Sequence, residues 1–366
     1  MNDSYFGKHL SMSEWARRAG LPASNAIVQE DSDKRARLDV LAEVLRIPIL
    51  HTLQFDASEV IAPSERFLRF ARGADSQLYA ARGRSSDPAQ PVLRARGKTV
   101  DHLAAWIGSV ENIDAYTFSF EQHVDAELAA IFVVGPRRVA GEAIEGSLLA
   151  LNSGNFRGSV LGFELDAEGE WKYSTPGHAS LERFLRQALA CIRVDDGDAR
   201  SALERRLLAT FFGAYVAGYF EVISSDASGL IFVDYNRLMV SDLPPLLSAG
   251  GQGAGERILV VGRAGSGGHV TGRARVVRSE EVGAVRLAPT DVLVCEFTDP
   301  IFLPLMTSAA AVVTDIGGVL SHAAVVCREL GIPCIVGTGS ATATIPDGDL
   351  IEVNANEGVV RLAEPG

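Results

Sequence analysis

The residue with the clearest chemical potential is His322, which lies in the segment 314–333, TDIGGVLSHAAVVCRELGIP. Ser321 suits an N-cap, and the pattern predicts a helix from there to Leu330. A histidine in the first helical turn lies beside unpaired backbone N–H groups and at the positive end of the helix dipole. That environment favours an imidazole that carries a phosphoryl group. His322 is therefore a candidate covalent nucleophile, with a capping or surface histidine as the alternative.

The elements that position this histidine follow from the apolar pattern on either side of it. Residues 309–313 are an apolar run that predicts a buried strand, and the Gly317-Gly318 pair ends it. Gly331 and Pro333 then stop the predicted helix. The histidine is thus expected at the start of a helix that follows a glycine turn.

Composition narrows the possible classes of protein. With 366 residues and 47% hydrophobic composition, the chain can bury large cores and should form two or three domains. A formal net charge of −12 argues against nucleic acid and anionic membrane as partners. We expect a soluble cytoplasmic protein, because no long apolar run and no signal-peptide core are visible. The four cysteines have no CxxC spacing and are expected to be buried free thiols.

The His322 segment resembles the swivelling phosphohistidine domain of the phosphoenolpyruvate (PEP)-utilising enzymes, a family that includes pyruvate phosphate dikinase, PEP synthase and rifampicin phosphotransferase. The resemblance covers residues 256–366 and includes the matching stretches 298–300, TDP, and 336–339, VGTG. It implies that His322 carries the phosphoryl group. Ser321 and Arg328 are the further catalytic candidates.

The N-terminal region resembles the ATP-binding domain of the same family. Lys8 belongs to a Gly-Lys pair that opens a predicted helix, and the resemblance implies that it contacts nucleotide phosphate. Residues 78–87 predict a strand that leads into a polar turn, and they resemble the segment whose arginine holds the triphosphate. Arg84 is the first choice and Arg82 the second, because a guanidinium binds phosphate oxygens bidentately. Solvated surface charge is the alternative for all three.

A predicted helix at residues 99–110 precedes two predicted strands, 115–120 and 127–134. Between the strands, residues 121–125 resemble the hinge that holds adenine in ATP-grasp proteins, which assigns Gln122 to nucleotide binding. His123 is expected to be structural. Further helices are predicted at 181–192 and 203–217.

Residues 218–223 and 230–237 predict two adjacent strands that bring Glu221, Asp234 and Asn236 together. ATP-grasp enzymes end their catalytic domain with such a pair, whose oxygen ligands hold Mg²⁺ on the nucleotide phosphates. The resemblance thus implies that all three bind metal and that Glu221 also contacts the nucleotide. The segment departs from the dikinases, which usually have a Gln before the final Arg. An ordinary acidic hairpin is the alternative.

The expected architecture is α/β (α+β) with two main domains. An ATP-grasp-like domain at 1–240 is joined by a Gly-rich linker, 241–256, to a β/β/α swivelling phosphohistidine domain at 257–366. As a flexible coil the linker would span roughly 20 Å and could stretch to about 50 Å. His269 precedes a strand in a glycine loop and is expected to be structural.

The expected function is an ATP- and Mg²⁺-dependent phosphotransferase. A phosphoryl group would move from ATP through His322 to a small-molecule acceptor, with release of AMP and phosphate. The chain has no room for the PEP-binding barrel or for a separate acceptor domain. Either the acceptor binds within this chain, or a separate subunit supplies its site. Two alternatives stay open: a non-catalytic or carrier subunit of a larger phosphotransferase, and an ATP-grasp ligase that forms an acyl phosphate.

Overall fold

A computed structural model describes residues 24–74, 77–87, 90, 92–153, 160–237, 258–298 and 300–363. Within these residues the chain is a mixed α/β protein, as the sequence predicts, and it divides into two compact units. The first unit takes Met1–Asp31 and Ile49–Asp125, and the second takes Ser32–Pro48 and Ala126–Gly366. Lys8 and the predicted linker lie outside the described residues. Among the helices described, none combines the length and the apolar character needed to span a membrane.

The first element of the described residues is helix α1 (Ser24–Leu45). The first unit then contains four strands and three helices: β1 (Thr52–Asp56), α2 (Ala57–Ile61), α3 (Glu65–Gly73), β2 (Tyr79–Ser85), β3 (Leu93–Lys98), α4 (Val100–Gly108) and β4 (Tyr116–Gln122). The strands form an antiparallel sheet in the order β1-β4-β2-β3. The predicted strand in 78–87 and the predicted helix at 99–110 are confirmed.

The core of the first unit lies between this sheet and its helices. Successive side chains on a strand point to opposite faces, so the apolar residues of each strand collect on one face. Phe55 and Phe120 are buried there, with ring centroids 5.8 Å apart. Phe67 of α3 packs edge-on against Phe55. The opposite face of the sheet carries the polar residues, including the arginines of β2 and β3.

Among its described residues, the second unit contains two large sheets and one sheet of two short strands. The first is antiparallel, with the order β12-β11-β5-β6-β7-β8. Its strands and helices are β5 (Leu128–Val134), β6 (Val139–Glu145), α5 (Leu148–Ser153), β7 (Leu161–Leu165), β8 (Trp171–Tyr173), α6 (Ala179–Cys191), α7 (Gly197–Leu207), β9 (Phe211–Phe212), β10 (Tyr215–Val216), β11 (Gly218–Ser225) and β12 (Gly229–Asn236). The short strands β9 and β10 pair with each other, and Tyr215 of β10 also forms an isolated bridge with Arg193. Helix α6 packs on β5, β6 and β12, which explains why these strands are largely apolar.

The prediction of a helix at 203–217 is wrong about where the helix lies. Helix α7 begins earlier, where the Asp196 carboxylate accepts a hydrogen bond from the Ala199 amide at 2.9 Å. It ends at Leu208, whose backbone is left-handed with φ 52°. The aromatic stretch that follows folds into the β9–β10 hairpin around Gly213, with φ 58°. A cap and a glycine turn therefore override the helical spacing of the apolar residues.

The second sheet of this unit has the order β13-β20-β19-β15-β16-β17-β18-β14. Its elements are β13 (Ile258–Val261), β14 (Arg263–Ser266), β15 (His269–Val276), β16 (Asp291–Cys295), α8 (Leu303–Met306), β17 (Ala311–Thr314), α9 (His322–Leu330), β18 (Cys334–Val336), α10 (Ala341–Thr344), β19 (Leu350–Asn354) and β20 (Val359–Leu362). Strands β15, β16, β17 and β18 run parallel to one another. Helix α9 packs on β14, β17 and β18.

The two outer strands of this sheet, β13 and β14, are consecutive in the chain and separated by Gly262 alone. The sheet must therefore curl until its first and last strands meet. The Gly262 amide donates to the Gly358 carbonyl at 2.8 Å. A Cβ at Gly262 would lie 2.7 Å from both Ile335 Cγ2 and the Val336 carbonyl oxygen. Glycine is required because the backbones pass too closely for a side chain.

Candidate functional site

His322 opens α9, directly after the loop that leaves β17, as the sequence predicts. We call residues 315–321 the histidine loop. Helix α9 ends at Gly331, whose left-handed backbone has φ 67°. The loop thus places the first turn of a nine-residue helix, with its free N–H groups, immediately at the histidine.

Ser321 occupies the N-cap position, with an extended backbone at φ −67° and ψ 164°. The predicted cap hydrogen bond is absent: the Ser321 Oγ is buried and makes no hydrogen bond to any residue that the structure describes. Its carbonyl accepts from the Val325 amide at 2.9 Å, which is the first bond of the helix. The Ser321 hydroxyl is therefore a buried donor with its hydrogen-bonding capacity unused beside His322.

The histidine loop is held in shape by Asp315. Its carboxylate accepts hydrogen bonds from the Thr338 Oγ1 at 2.9 Å, from the Thr342 amide at 3.3 Å and from the Thr342 hydroxyl. The Asp315 amide in turn donates to the Cys295 carbonyl at 3.1 Å. One carboxylate at the start of the loop thus ties it to two neighbouring segments, and this role was not predicted.

Arg328, a catalytic candidate from the sequence, reaches back along α9 to the same loop. Its Nη1 donates to the Val319 carbonyl at 2.7 Å and to the Gly265 carbonyl at 2.6 Å. Burial lowers the pKa of the Arg328 guanidinium. In this arrangement Arg328 supports the loop through its backbone, and its catalytic role stays a prediction.

Three of the four cysteines are buried near this helix: Cys295, Cys327 and Cys334. Burial raises the pKa of the Cys327 thiol, so that the thiol stays protonated and unreactive. Cys191 is only partly buried. The prediction of buried free thiols is confirmed for three of the four.

A second contact reaches the histidine loop from β6. Glu142 lies in a fully buried stretch of that strand, and its side chain is 3% exposed. Arg263 of β14 forms an ion pair with Glu142 and also donates from Nη2 to the Gly317 carbonyl at 3.1 Å. Neither residue was singled out from the sequence, because the two lie 121 positions apart and no local pattern links them.

The strands β11 and β12 form the predicted acidic hairpin. Glu221 lies directly opposite Asp234, and Tyr219 lies opposite Asn236. Because opposite residues of an antiparallel pair share a face, Glu221, Asp234 and Asn236 are neighbours on one side of the sheet. We call these three residues the carboxylate hairpin. The structure brings them together as predicted, and their metal and nucleotide roles stay predictions.

Both carboxylates of the hairpin already have partners. The Glu221 carboxylate accepts from the Tyr219 hydroxyl at 2.6 Å, and Asp234 forms an ion pair with Lys34 of α1 at 2.7 Å. Burial and the adjacent Glu221 raise the pKa of the Tyr219 hydroxyl, so Tyr219 remains a donor at neutral pH. Lys34 was not singled out from the sequence, although it is one of only four lysines in the chain.

The donor set of the hairpin suits Mg²⁺. Two carboxylates and one amide oxygen are hard ligands, and Mg²⁺ is commonly held by one or two carboxylates together with phosphate oxygens and water. Among the described residues, no group of three or more His, Cys, Asp or Glu side chains could hold a metal alone. The hairpin therefore fits a metal that arrives with a phosphate ligand better than a metal bound by protein alone.

The remaining candidates lie in the first unit. Arg82 and Arg84 are on the polar face of β2, and Arg94 of β3 lies directly opposite Arg82. This register concentrates positive charge on one face of the sheet.

Gln122 is exposed at the end of β4, and the His123 amide donates to the Leu78 carbonyl at 2.7 Å. His269, in the second unit, bonds Glu352 at 2.8 Å.

Comparison with known proteins identifies the C-terminal segment. A family model described as "PEP-utilising enzyme, mobile domain" matches residues 287–358. The chain is 48% identical over 103 residues to the phosphoenolpyruvate synthase of Aeropyrum pernix, covering 28% of this chain and 13% of that protein. It is 43% identical over 103 residues to the uncharacterized phosphotransferase YvkC of Bacillus subtilis, covering 28% and 12%. The similarity thus spans about an eighth of the length of these relatives.

A solved structure of N5-carboxyaminoimidazole ribonucleotide synthetase in complex with ADP is also similar, at 11% identity and a TM-score of 0.30 over 56% of this chain and 44% of that one. No conclusion follows from a score of this size. The match to residues 287–358 includes the histidine loop and the whole of α9. Residues 287–358 are therefore similar to the mobile domain of the PEP-utilising enzymes.

Proposed function

We propose that the chain is an ATP-dependent phosphotransferase that works through a phosphohistidine at His322. The observation that carries the proposal is the placement of His322 within the matched mobile domain, at the start of α9 and next to a buried serine hydroxyl. In the first half-reaction, an N–P bond forms at His322 Nε2 while a P–O bond of ATP breaks. In the second, the acceptor attacks phosphorus and the N–P bond breaks.

The histidine loop supplies the groups that a phosphohistidine needs. The first amides of α9 and the positive end of the helix dipole favour the phosphoryl oxygens. The Ser321 hydroxyl, which has no partner among the described residues, donates to one of these oxygens. Arg328 fixes the loop through the Val319 carbonyl, so that the amides keep their direction.

We further propose that residues 1–240 form an ATP-grasp-like domain that binds the nucleotide. Arg82 and Arg84 hold the triphosphate, Lys8 and Gln122 add phosphate and adenine contacts, and Glu221 contacts the nucleotide. Glu221, Asp234 and Asn236 hold Mg²⁺. When bound, Mg²⁺ neutralises the charge that develops on the transferred phosphoryl group. The support for this part is the shared face of the carboxylate hairpin and the clustered positive charge on β2 and β3.

The proposed cycle ends with delivery to a small-molecule acceptor. By resemblance to the dikinases, the β-phosphoryl group moves to His322 as AMP leaves, and water takes the γ-phosphoryl group, which is released as phosphate. Residues 241–256 are proposed as the linker that lets residues 257–366 move between sites. The acceptor binds in this chain or on a separate subunit.

The test is incubation of the full chain with ATP labelled in its β- or γ-phosphoryl group, followed by acid and base treatment. We expect an acid-labile, base-stable label that His322→Ala abolishes with little change in ATP affinity. His269→Ala is the matched control: it removes another histidine of the same sheet and should leave the label intact.

Three results would contradict the proposal. Label retained in His322→Ala places the nucleophile elsewhere. A base-labile label indicates an acyl phosphate and therefore an ATP-grasp ligase. No label from ATP, with label appearing only when a partner kinase is added, indicates a carrier subunit.

A further inference from the structure

The ion pair between Glu142 and Arg263 connects the histidine loop to the first sheet of the second unit. Glu142 is the one charged residue in the buried part of β6, where Val139, Ala140, Ala143 and Ile144 surround it in sequence. A carboxylate with a side chain only 3% exposed is strongly destabilised unless a positive group meets it. Arg263 supplies that group.

Arg263 uses the two arms of its guanidinium for two different acceptors. One nitrogen meets the Glu142 carboxylate and the other donates to the Gly317 carbonyl at 3.1 Å. The planar fork of arginine reaches both at once, whereas the single ammonium of a lysine would reach one. The residue therefore links β6 to the loop.

The loop itself is shaped to accept Glu142. A Cβ placed on Gly318 would overlap the Glu142 carboxylate, although the backbone of Gly318 is one that any residue adopts. The three atoms nearest to such a Cβ all belong to the Glu142 side chain, so a side chain at position 318 would displace this carboxylate. Its neighbour Gly317 lies against Ser321, since a Cβ there would be 3.0 Å from the Ser321 Oγ. Arg263 donates to the Gly317 carbonyl, and Gly317 lies against Ser321, the residue directly before His322, so the contact with Glu142 and Arg263 reaches the start of α9 through the loop backbone.

We propose that Glu142 and Arg263 are positioning residues that hold the histidine loop on β6 while His322 is unmodified and release it when His322 carries a phosphoryl group. A phosphoryl group adds about two negative charges near neutral pH. It repels the Glu142 carboxylate and competes with it for the Arg263 guanidinium, which binds phosphate oxygens well. Glu142 left without its partner is stable only in water, so the loop separates from β6. The source of the phosphoryl group rests on the proposed function.

Hydrogen exchange of the amides in residues 315–321 tests the proposal on the full chain. Phosphoramidate serves as the phosphoryl donor, because it modifies histidine without ATP. We expect modification to speed exchange of this segment about tenfold in the wild type, since one buried ion pair is lost. In His322→Ala, the same treatment should leave the amide exchange rate of residues 315–321 unchanged. Failure to label from ATP would count against the proposed function and leave this experiment intact.

Two substitutions sharpen the test without any donor. Glu142→Gln keeps the shape and removes the charge, and Arg263→Lys keeps the charge and removes the fork. In both variants the amides of residues 315–321 should exchange fast before His322 is modified. Modification of His322 should then speed their exchange only slightly. Arg361→Lys is the control, because Arg361 of β20 is an arginine of the same sheet whose ion pairs are with Glu357, at 3.1 Å, and Glu352, at 3.6 Å.

A steric variant tests the same contact independently. Gly318→Ala should lower the kcat of phosphoryl transfer to His322 and leave the KM for ATP unchanged. Adding Glu142→Ala should restore part of the lost kcat, because it makes room for the alanine side chain. The proposal is overturned if unmodified Glu142→Gln exchanges as slowly as the wild type. Equal exchange in modified and unmodified wild type, or an equal effect of Arg361→Lys, overturns it as well.

Discussion

In the histidine loop the groups that could contact a ligand are mainly backbone groups, whereas in the carboxylate hairpin they are side chains. The loop depends on glycines at 317 and 318, on the carbonyls that Arg328 and Arg263 contact, and on the first amides of α9. The hairpin depends on three oxygen-bearing side chains that project from two regular strands.

The two regions also differ in what a ligand must displace. The Ser321 hydroxyl has no partner among the described residues, so a phosphoryl group can use it without breaking a bond. Glu221 and Asp234 are already bound to Tyr219 and Lys34. A metal at the hairpin must take these carboxylates from existing partners. The loop is therefore preorganised for an anion, while the hairpin exchanges one set of contacts for another.

The largest effect is expected at the hairpin. Glu221→Ala or Asn236→Ala removes an oxygen ligand from a site whose contribution is mainly electrostatic, and turnover of ATP should fall by about 10² to 10³. Steady-state ATP turnover at several Mg²⁺ concentrations measures it. Asp226→Ala, which removes an exposed carboxylate from the turn of the same hairpin, should leave turnover unchanged. Normal turnover in both site variants would place the metal elsewhere.

A smaller effect is expected from the loop backbone. Gly317 has φ 129°, a conformation that side chains rarely adopt, and Gly317→Ala should cost about 1–3 kcal/mol of stability. Urea unfolding would show it as a lower midpoint. Gly283→Ala is the control, because a Cβ there meets nothing within 4 Å and its φ is not positive. Equal midpoints for the two variants would show that the loop backbone is not constrained as described.

The smallest effect is expected from Lys34. Because Lys34 competes with a metal for Asp234, Lys34→Met should lower the Mg²⁺ concentration at half-maximal ATP turnover about fivefold, as expected from a pair of about 1 kcal/mol. Stability should change by only a few tenths of a kcal/mol. Lys172→Met, which breaks the surface pair with Asp166, is the control for loss of a lysine. An unchanged or weaker Mg²⁺ response would separate Lys34 from the metal site.

The sequence predicted the elements around both sites well, because their signals are local. Glycines and a cap residue set the limits of α9, and alternation with a polar turn sets the β11–β12 hairpin. The error at 203–217 has a local cause too: apolar spacing alone does not reveal the turn at Gly213. The side chain of Ser321 differs from prediction because the cap position fixes the backbone without fixing the hydroxyl.

The contacts that join distant parts of the chain could not be predicted. Lys34 and Asp234 are 200 positions apart, and Glu142 and Arg263 are 121 apart. Each pair forms only when separate strands and helices pack, and a single sequence carries no periodicity that relates them. A buried acidic residue in an apolar strand, as at Glu142, is nevertheless a signal that a positive partner exists somewhere in the fold.

The curled sheet of residues 258–363 has a consequence for the proposed movement of this part of the chain between sites. Open sheet edges are templates on which other chains pair and aggregate. Here the two outer strands are halves of one stretch of chain, and each is only four residues long. A domain with such short edge strands can be exposed on all sides without offering a long strand with which another chain could pair. A side chain at Gly262, where the two halves meet, would collide with Ile335 and Val336 of β18 and disturb this arrangement.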